Sequence, residues 1–137
     1  MKVMISILGK QEANGEENSV ELVTEGEYEY GEALSTLRYE ESALTGMEGT
    51  VTTFAIEPGV VTMSREGSFT SQMLFQKDRK HLFLYSTPYG SQSLGIHTRR
   101  LHLDLGAETG RMEIHYDLDV DNHPLSRNEF LIEFKCV

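Results

Sequence analysis

The sequence predicts an all-β fold: a single antiparallel up-and-down barrel of about eight to ten strands spanning residues 1–137. Three observations carry this reading. Apolar and polar residues alternate with a period of two along most of the chain. Turn-forming residues recur at intervals of about 8–14 residues. Only one short stretch has helical character. The alternation is clearest in Met112-Glu113-Ile114-His115-Tyr116-Asp117-Leu118-Asp119-Val120-Asp121, where every even position is apolar or Tyr and every odd position is charged or His. Successive strand side chains point to opposite faces, so this pattern gives one buried and one wet face, whereas a helix would smear it around its circumference.

Element by element, the first strand lies near 2–12 and carries Val3, Ile5 and Ile7 on one parity. This N-terminal stretch is short, alternates with polar residues and lacks a small-residue cleavage site, so it reads as a strand rather than a signal peptide. Asn14-Gly15 is a two-residue hairpin signal, because both residues tolerate positive φ. Further strands fall near 18–30, with Val20 and Leu22, and 34–42. The helix-like stretch Glu40-Glu41-Ser42-Ala43-Leu44, ended by Gly46, has room for one turn. Strands near 49–57, with Phe54 and Ile56, and 60–66 flank Pro58-Gly59, the central pair of a type II turn. Strands near 68–77 and 80–87 follow, the latter with Leu82 and Leu84. The last three lie near 92–105, 111–121 and 126–136, the final one with Phe130, Ile132 and Phe134.

The strand at 92–105 changes parity. Its apolar set is even through Leu94 and Ile96, then odd from Leu101 through Leu103 and Leu105. A regular strand cannot keep both sets on one face, so the pattern predicts a β-bulge around Thr98 to Arg100. Many short antiparallel strands fit a sandwich, a jelly roll or a barrel; short hairpins favour the barrel, which also removes exposed edges. No internal repeat or low-complexity segment is present.

Composition bounds the function. Lys and Arg total 12 against 22 Asp and Glu, giving a net charge of −10. That balance disfavours a nucleic-acid surface or an anionic membrane, both of which need clustered cations. No run approaches the roughly 18 apolar residues of a membrane-spanning helix. The only cysteine, Cys136, cannot form an internal disulfide and reads as a strand-end packing residue. These features point to a cytoplasmic protein.

Several motifs carry a resemblance. The stretch Tyr39-Glu40-Glu41-Ser42-Ala43-Leu44-Thr45-Gly46-Met47-Glu48-Gly49-Thr50 is followed by Gly67, Ser71-Gln72-Met73, Phe75, His81, Tyr85, Thr87-Pro88-Tyr89-Gly90, Gly95-Ile96 and Thr98. In these the chain resembles the uncharacterised YwiB-type proteins of Gram-positive bacteria. The resemblance spans the chain, with its specific motifs between residues 39 and 98. It implies a closed barrel of the calycin, or lipocalin-like, kind, a fold that often holds a small hydrophobic ligand. It brings a domain of unknown function and assigns no activity.

The chemistry-bearing motifs have ordinary explanations first. Asp117 to His123 suggests a calcium loop, but an EF-hand needs Gly at its sixth position and Glu at its twelfth, where Asn122 and Asn128 stand. The run reads as the wet face of a strand. His81, His97, His102, His115 and His123 show no zinc-like spacing. The predicted bulge would bring His97 and His102 to one face, and His115 belongs on the exposed one. Ser71, Ser86 and Ser126 sit in no nucleophile elbow, and Gly46 to Gly49 lacks the Lys of a phosphate loop. No cofactor, metal site or catalytic set is expected.

The cations of the 38–99 region do not fit a simple wet face. The candidate ligand-binding residues are Arg38, Glu40, Arg65, Gln72, His81, Tyr85, Tyr89, His97 and Arg99. A charge inside a barrel costs several kcal/mol unless paired. An inward Arg38, Arg65 or Arg99 should therefore meet Glu40 or Glu41, or a bound anion. The leading expectation is a small-ligand-binding barrel without catalysis, its ligand bearing a carboxylate or phosphate. The alternative is a structural or interaction module whose barrel is filled by Phe54, Phe69, Phe75, Phe83 and Phe130. Tyr28, Tyr30, Tyr89, Met47 and Met63 are candidates for a partner patch.

Overall fold

A computed structural model describes residues 1–137. It contains ten β-strands: β1 (Lys2–Ala13), β2 (Glu16–Glu29), β3 (Ser35–Glu40), β4 (Thr50–Glu57), β5 (Val60–Gly67), β6 (Ser71–Gln76), β7 (Lys80–Thr87), β8 (Gly90–Leu105), β9 (Thr109–Val120) and β10 (His123–Cys136). They form one antiparallel sheet in the order β6-β5-β4-β3-β2-β1-β10-β9-β8-β7, curled into a nearly closed barrel. The first and last strands pair along most of their length, from Val3 opposite Cys136 to Glu12 opposite Arg127. The seam therefore lies between two strands consecutive in sequence, β6 and β7. It is bridged by reciprocal Thr70–Ser86 backbone bonds and by Asp78 and Arg79 bonding to Thr98.

The turns follow their sequence chemistry. Asn14 and Gly15 both take positive φ, at 54° and 78°, as a type I′ hairpin requires. Asp121 and Asn122 do the same at 50° and 67°. Gly59 sits at φ 77°, the third position of the Pro58-Gly59 turn. The helix-like stretch is a single 3-10 turn, Ala43–Thr45, capped by the Ser42 side chain and ended by Gly46 at φ 76°.

The parity change in β8 is resolved by a bulge between Thr98 and Arg100. Arg99 is the extra residue, so Thr98 and Leu101 both face inward. A second bulge, between Pro124 and Ser126, was not foreseen from the sequence. There Leu125 is the extra residue and stands exposed. The sixth strand also begins three residues later than its alternation predicts, because Ser68 to Thr70 cross from β5 to the seam. On this crossing the Phe69 amide donates to the Thr50 hydroxyl.

Residues directly opposite across an antiparallel pair share a face, so the ladders define rows around the interior. Tyr28, Leu37, Phe54, Met63 and Met73 form one apolar row. Leu22, Ile7, Ile132, Met112 and Leu103 form another on the far wall. Twenty-one buried hydrophobic residues make one continuous core, so side chains fill most of the barrel. Phe54, Phe75 and Phe83 are buried within it; Phe69 and Phe130 are only partly covered. Cys136 does end a strand, but it is exposed rather than packed. No helix is long and apolar enough to cross a membrane.

Candidate functional site

One more pair of rows lies toward the end of the barrel where β1 and β2 join, and it is polar. On one wall Tyr39, Thr52, Arg65 and Ser71 stand side by side across β3, β4, β5 and β6. On the other, Asn18, Gln11, Asn128, Tyr116 and Thr98 run across β2, β1, β10, β9 and β8. Between the walls opens a cavity of about 250 Å³. Its apolar lining includes Ile7, Leu22 and Phe130; its polar lining includes Arg65, Glu41, Tyr39, Tyr116 and Asn128. Exposed Asn18 and Ser19 stand at its rim.

The interior of this layer is not internally satisfied. Three buried side-chain atoms of the whole molecule lack a hydrogen-bond partner in the protein: Arg65 Nε, Ser71 Oγ and Thr98 Oγ1. All three belong to the two polar rows. Buried polar groups are otherwise almost always paired, so such a cluster needs a reason. Arg65 also has no carboxylate within 4.0 Å, whereas Arg99, Arg100 and Arg127 each have one.

Glu41 faces the same cavity from the end of β3. It is 8% exposed. Its Oε1 accepts from Thr52 Oγ1 and its Oε2 from Thr45 Oγ1, both at 2.8 Å. The Glu41 amide donates to the Thr50 carbonyl, which ties the strand end to β4. Burial raises the phenol of Tyr39 well above the ordinary tyrosine value, the Glu41 carboxylate adds to the rise, and Arg65 opposes it. Burial pushes Tyr116 up to about 12, again against the pull of Arg65. Both phenols are therefore neutral hydroxyls at physiological pH, placed beside a guanidinium. Tyr116 is held edge-on by Phe75, with ring centroids 5.0 Å apart, and by Phe130 at 5.7 Å.

Of the nine residues singled out in the sequence, Arg65 alone lines this cavity. Tyr85 and His81 share inward parity on β7, but they lie at the seam. Tyr85 packs on Phe69 at 6.3 Å, and His81 Nε2 is 3.3 Å from Gln76 Oε1. Arg38, Glu40 and Gln72 are exposed on the outer face. Tyr89 is 97% exposed on the β7–β8 turn. His97 stands on the outer face opposite Lys80 and Asp117. Arg99, at the bulge, is ion-paired to Asp117 at 3.0 Å. The nine thus do not form one site.

The bulge does set His97 and His102 on the same outer face, opposite Asp117 and Glu113. His115 sits there too, between Glu113 and Glu129 at 3.3 Å each, and is partly covered by them. Nowhere do three or more His, Cys, Asp or Glu side chains converge as a metal centre requires. Asp117 and Asp119 of the acidic run are occupied by Arg99 and Lys80. The five candidate patch residues are likewise divided: Tyr28 and Met63 are in the core, Tyr30 and Tyr89 are exposed, and half-buried Met47 lines the cavity.

The sequence reading missed Tyr39, Tyr116 and Asn128 as a group, and took Glu41 only as a counter-ion. A signal was present. Leu37, Tyr39 and Glu41 share odd parity, which places Glu41 inside and Glu40 outside.

Comparison with known proteins supports the fold and gives no activity. Comparison with curated proteins found no match. Among solved structures, the chain is similar to the crystal structure of the ywiB protein from Bacillus subtilis, with a TM-score of 0.88 and 21% identity. That match covers 99% of this chain and 92% of the other, and at this identity it speaks for the fold alone. The model of a domain of unknown function, DUF1934, matches residues 5–132, and the chain belongs to that family.

Proposed function

We propose that the barrel binds a small anionic molecule, carrying a carboxylate or a phosphate, in the cavity at its β1–β2 end. The observation that carries this reading is Arg65: a half-buried, inward-facing arginine that lines the cavity, its Nε buried without a partner and no carboxylate within 4.0 Å. A buried donor left without a partner is costly, and an oxyanion is the natural complement of a guanidinium, because the planar fork donates two parallel hydrogen bonds. Tyr39 and Tyr116 supply neutral hydroxyl donors beside it. Phe130, Ile7 and Leu22 supply an apolar wall. This mixture of a mainly apolar lining and a few convergent polar groups is typical of small-molecule sites. The reading includes no bond-breaking step.

Calorimetric titration with short-chain carboxylates and, separately, with phosphate monoesters tests the reading and distinguishes the two oxyanions. Saturable binding of one series is expected. Arg65→Gln should weaken it by on the order of ten- to a hundredfold. Arg65→Lys, which keeps the charge but loses the fork, should weaken it less. Arg38→Gln, on the outer face, should leave it unchanged. Binding that is indifferent to Arg65→Gln, or no saturable binding of either series, would overturn the proposal.

The filled core favours a second reading, a structural or interaction module, because 21 buried residues occupy most of the interior. On that reading Arg65→Met would leave every interaction of the protein intact.

A further inference from the structure

We infer that the ligand of this cavity is zwitterionic: an amino carboxylate or similar molecule whose anion meets Arg65 and whose ammonium meets Glu41. The inference rests on the preceding reading of Arg65 and adds the second pole. Four charged side chains line the cavity of about 250 Å³. Lys10 and Glu129 stand opposite each other on β1 and β10, Lys10 exposed and Glu129 against His115. Glu41 and Arg65 are the two without a counter-ion within 4.0 Å that carry buried polar atoms. No cationic nitrogen lies within 4.0 Å of Glu41, and no carboxylate lies within 4.0 Å of Arg65. Opposite charges that line one partly enclosed cavity gain when each meets a complementary charge.

Glu41 and Arg65 do not pair with each other within 4.0 Å. The Glu41 carboxylate accepts from two threonine hydroxyls, Thr52 on β4 and Thr45 on the 3-10 turn. The backbone of Arg65 is set in the β5 ladder between Thr52 and Ser71. Each Glu41 oxygen accepts one hydroxyl and retains acceptor capacity for a further donor. A lone anion would satisfy Arg65 and leave buried Glu41 without a counter-charge. A lone cation would do the reverse. A molecule bearing both charges satisfies both, and its carbon chain would lie against Tyr39 and Tyr116, whose hydroxyls are held neutral by burial.

The test uses the intact chain and a ladder of ω-amino carboxylates: β-alanine, γ-aminobutyrate, δ-aminovalerate and ε-aminocaproate. The matching n-alkyl carboxylates and n-alkylamines are half-probes, all titrated by calorimetry. One member of the amino-carboxylate ladder should bind at least about tenfold tighter than either of its half-probes. Its length reports the separation of the two poles. Glu41→Gln, which keeps the acceptor for Thr45 and Thr52 but removes the charge, should bring that member down to the level of the plain carboxylate. Plain carboxylates binding as tightly as every amino carboxylate would overturn this inference and leave the Arg65 reading standing. Absence of carboxylate binding in any form, by chain verified as folded by circular dichroism, would overturn this inference, and absence of phosphate-monoester binding as well would overturn the Arg65 reading with it. The ladder on the unmodified chain decides the matter even if Glu41→Gln fails to fold.

Discussion

At the scale of single residues, burial decides what each polar side chain of the interior can do. Tyr116 lies wholly inside the barrel, and its phenol is pushed up to about 12 by that burial. Tyr39 is shifted in the same direction. An unfolded tyrosine ionises near pH 10. Because the folded values are higher, the contribution of these groups is fully present below about pH 10 and is lost as pH rises toward the folded value. Each tyrosine should cost up to about 1.4 kcal/mol of stability per pH unit in that window. Thermal melts between neutral and strongly alkaline pH should therefore show a steep fall above pH 10. The fall should be shallower for Tyr116→Phe, and an unchanged slope in that variant would refute the assignment. The residue scale is also where the sequence was least legible. Periodicity places Arg65 inward with Val61 and Met63, which is why it could be singled out. The same parity sets Arg38 outside, between inward Leu37 and Tyr39, but it cannot place Arg99, which is the extra residue of a bulge. Arg99 faces Asp117 only because the bulge turns it there.

At the scale of elements, the strands were legible because the wet and buried faces differ sharply in chemistry. The β8 bulge was legible for the same reason: a parity change in an apolar set has few other solutions. The β10 bulge was not, since Leu125 interrupts the pattern without shifting a long apolar run. Glycines within strands were also opaque, because their role is to leave room for a partner unknown at the sequence level. Gly110 on β9 lies opposite Phe134. A Cβ there would approach the Phe134 ring to 2.2 Å. That ring packs on Tyr28 with centroids 4.4 Å apart, and the Tyr28 hydroxyl donates to the Gly106 carbonyl at 2.8 Å. Gly110→Ala must therefore displace an aromatic pair that joins β2, β10 and the β8–β9 turn. Overpacking of this kind costs about 1–3 kcal/mol, and chemical denaturation should show a loss in that range. The companion Gly110→Ala/Phe134→Leu, which trims the ring, should recover part of it. A Gly110→Ala protein as stable as the parent would show that the ring moves freely.

At the scale of the whole molecule, the order of strands carries a consequence that no single ladder shows. The sheet runs from β6 through β1 and β10 to β7, so its two edges are consecutive in the chain. The terminal strands are interior to the sheet and fully paired, and the Val137 amide donates to the Lys2 carbonyl at 3.2 Å. Only the short turn Lys77 to Arg79 links the edges covalently, and the seam beside it has few backbone bonds. A circular permutant that joins the termini by a short Gly-Ser linker and opens at Asp78 keeps every ladder between sequence neighbours. The break falls at an exposed turn, where permutation is best tolerated. Loop-closure entropy changes slowly with loop length, so this permutant should fold cooperatively within about 2 kcal/mol of the parent. A permutant opened at Asn14-Gly15 instead severs the β1–β2 hairpin, whose ladder runs from Lys2–Glu27 to Ala13–Glu16. It also frees the strands that form the rim of the cavity, including Gln11 and Asn18. That permutant should lose more stability and should weaken ligand binding, while the Asp78 permutant binds as the parent does. Denaturant melts and calorimetric titration of both proteins check this. If the Asp78 permutant fails to fold, the seam turn is required for barrel closure and the sheet cannot be held by its ladders alone.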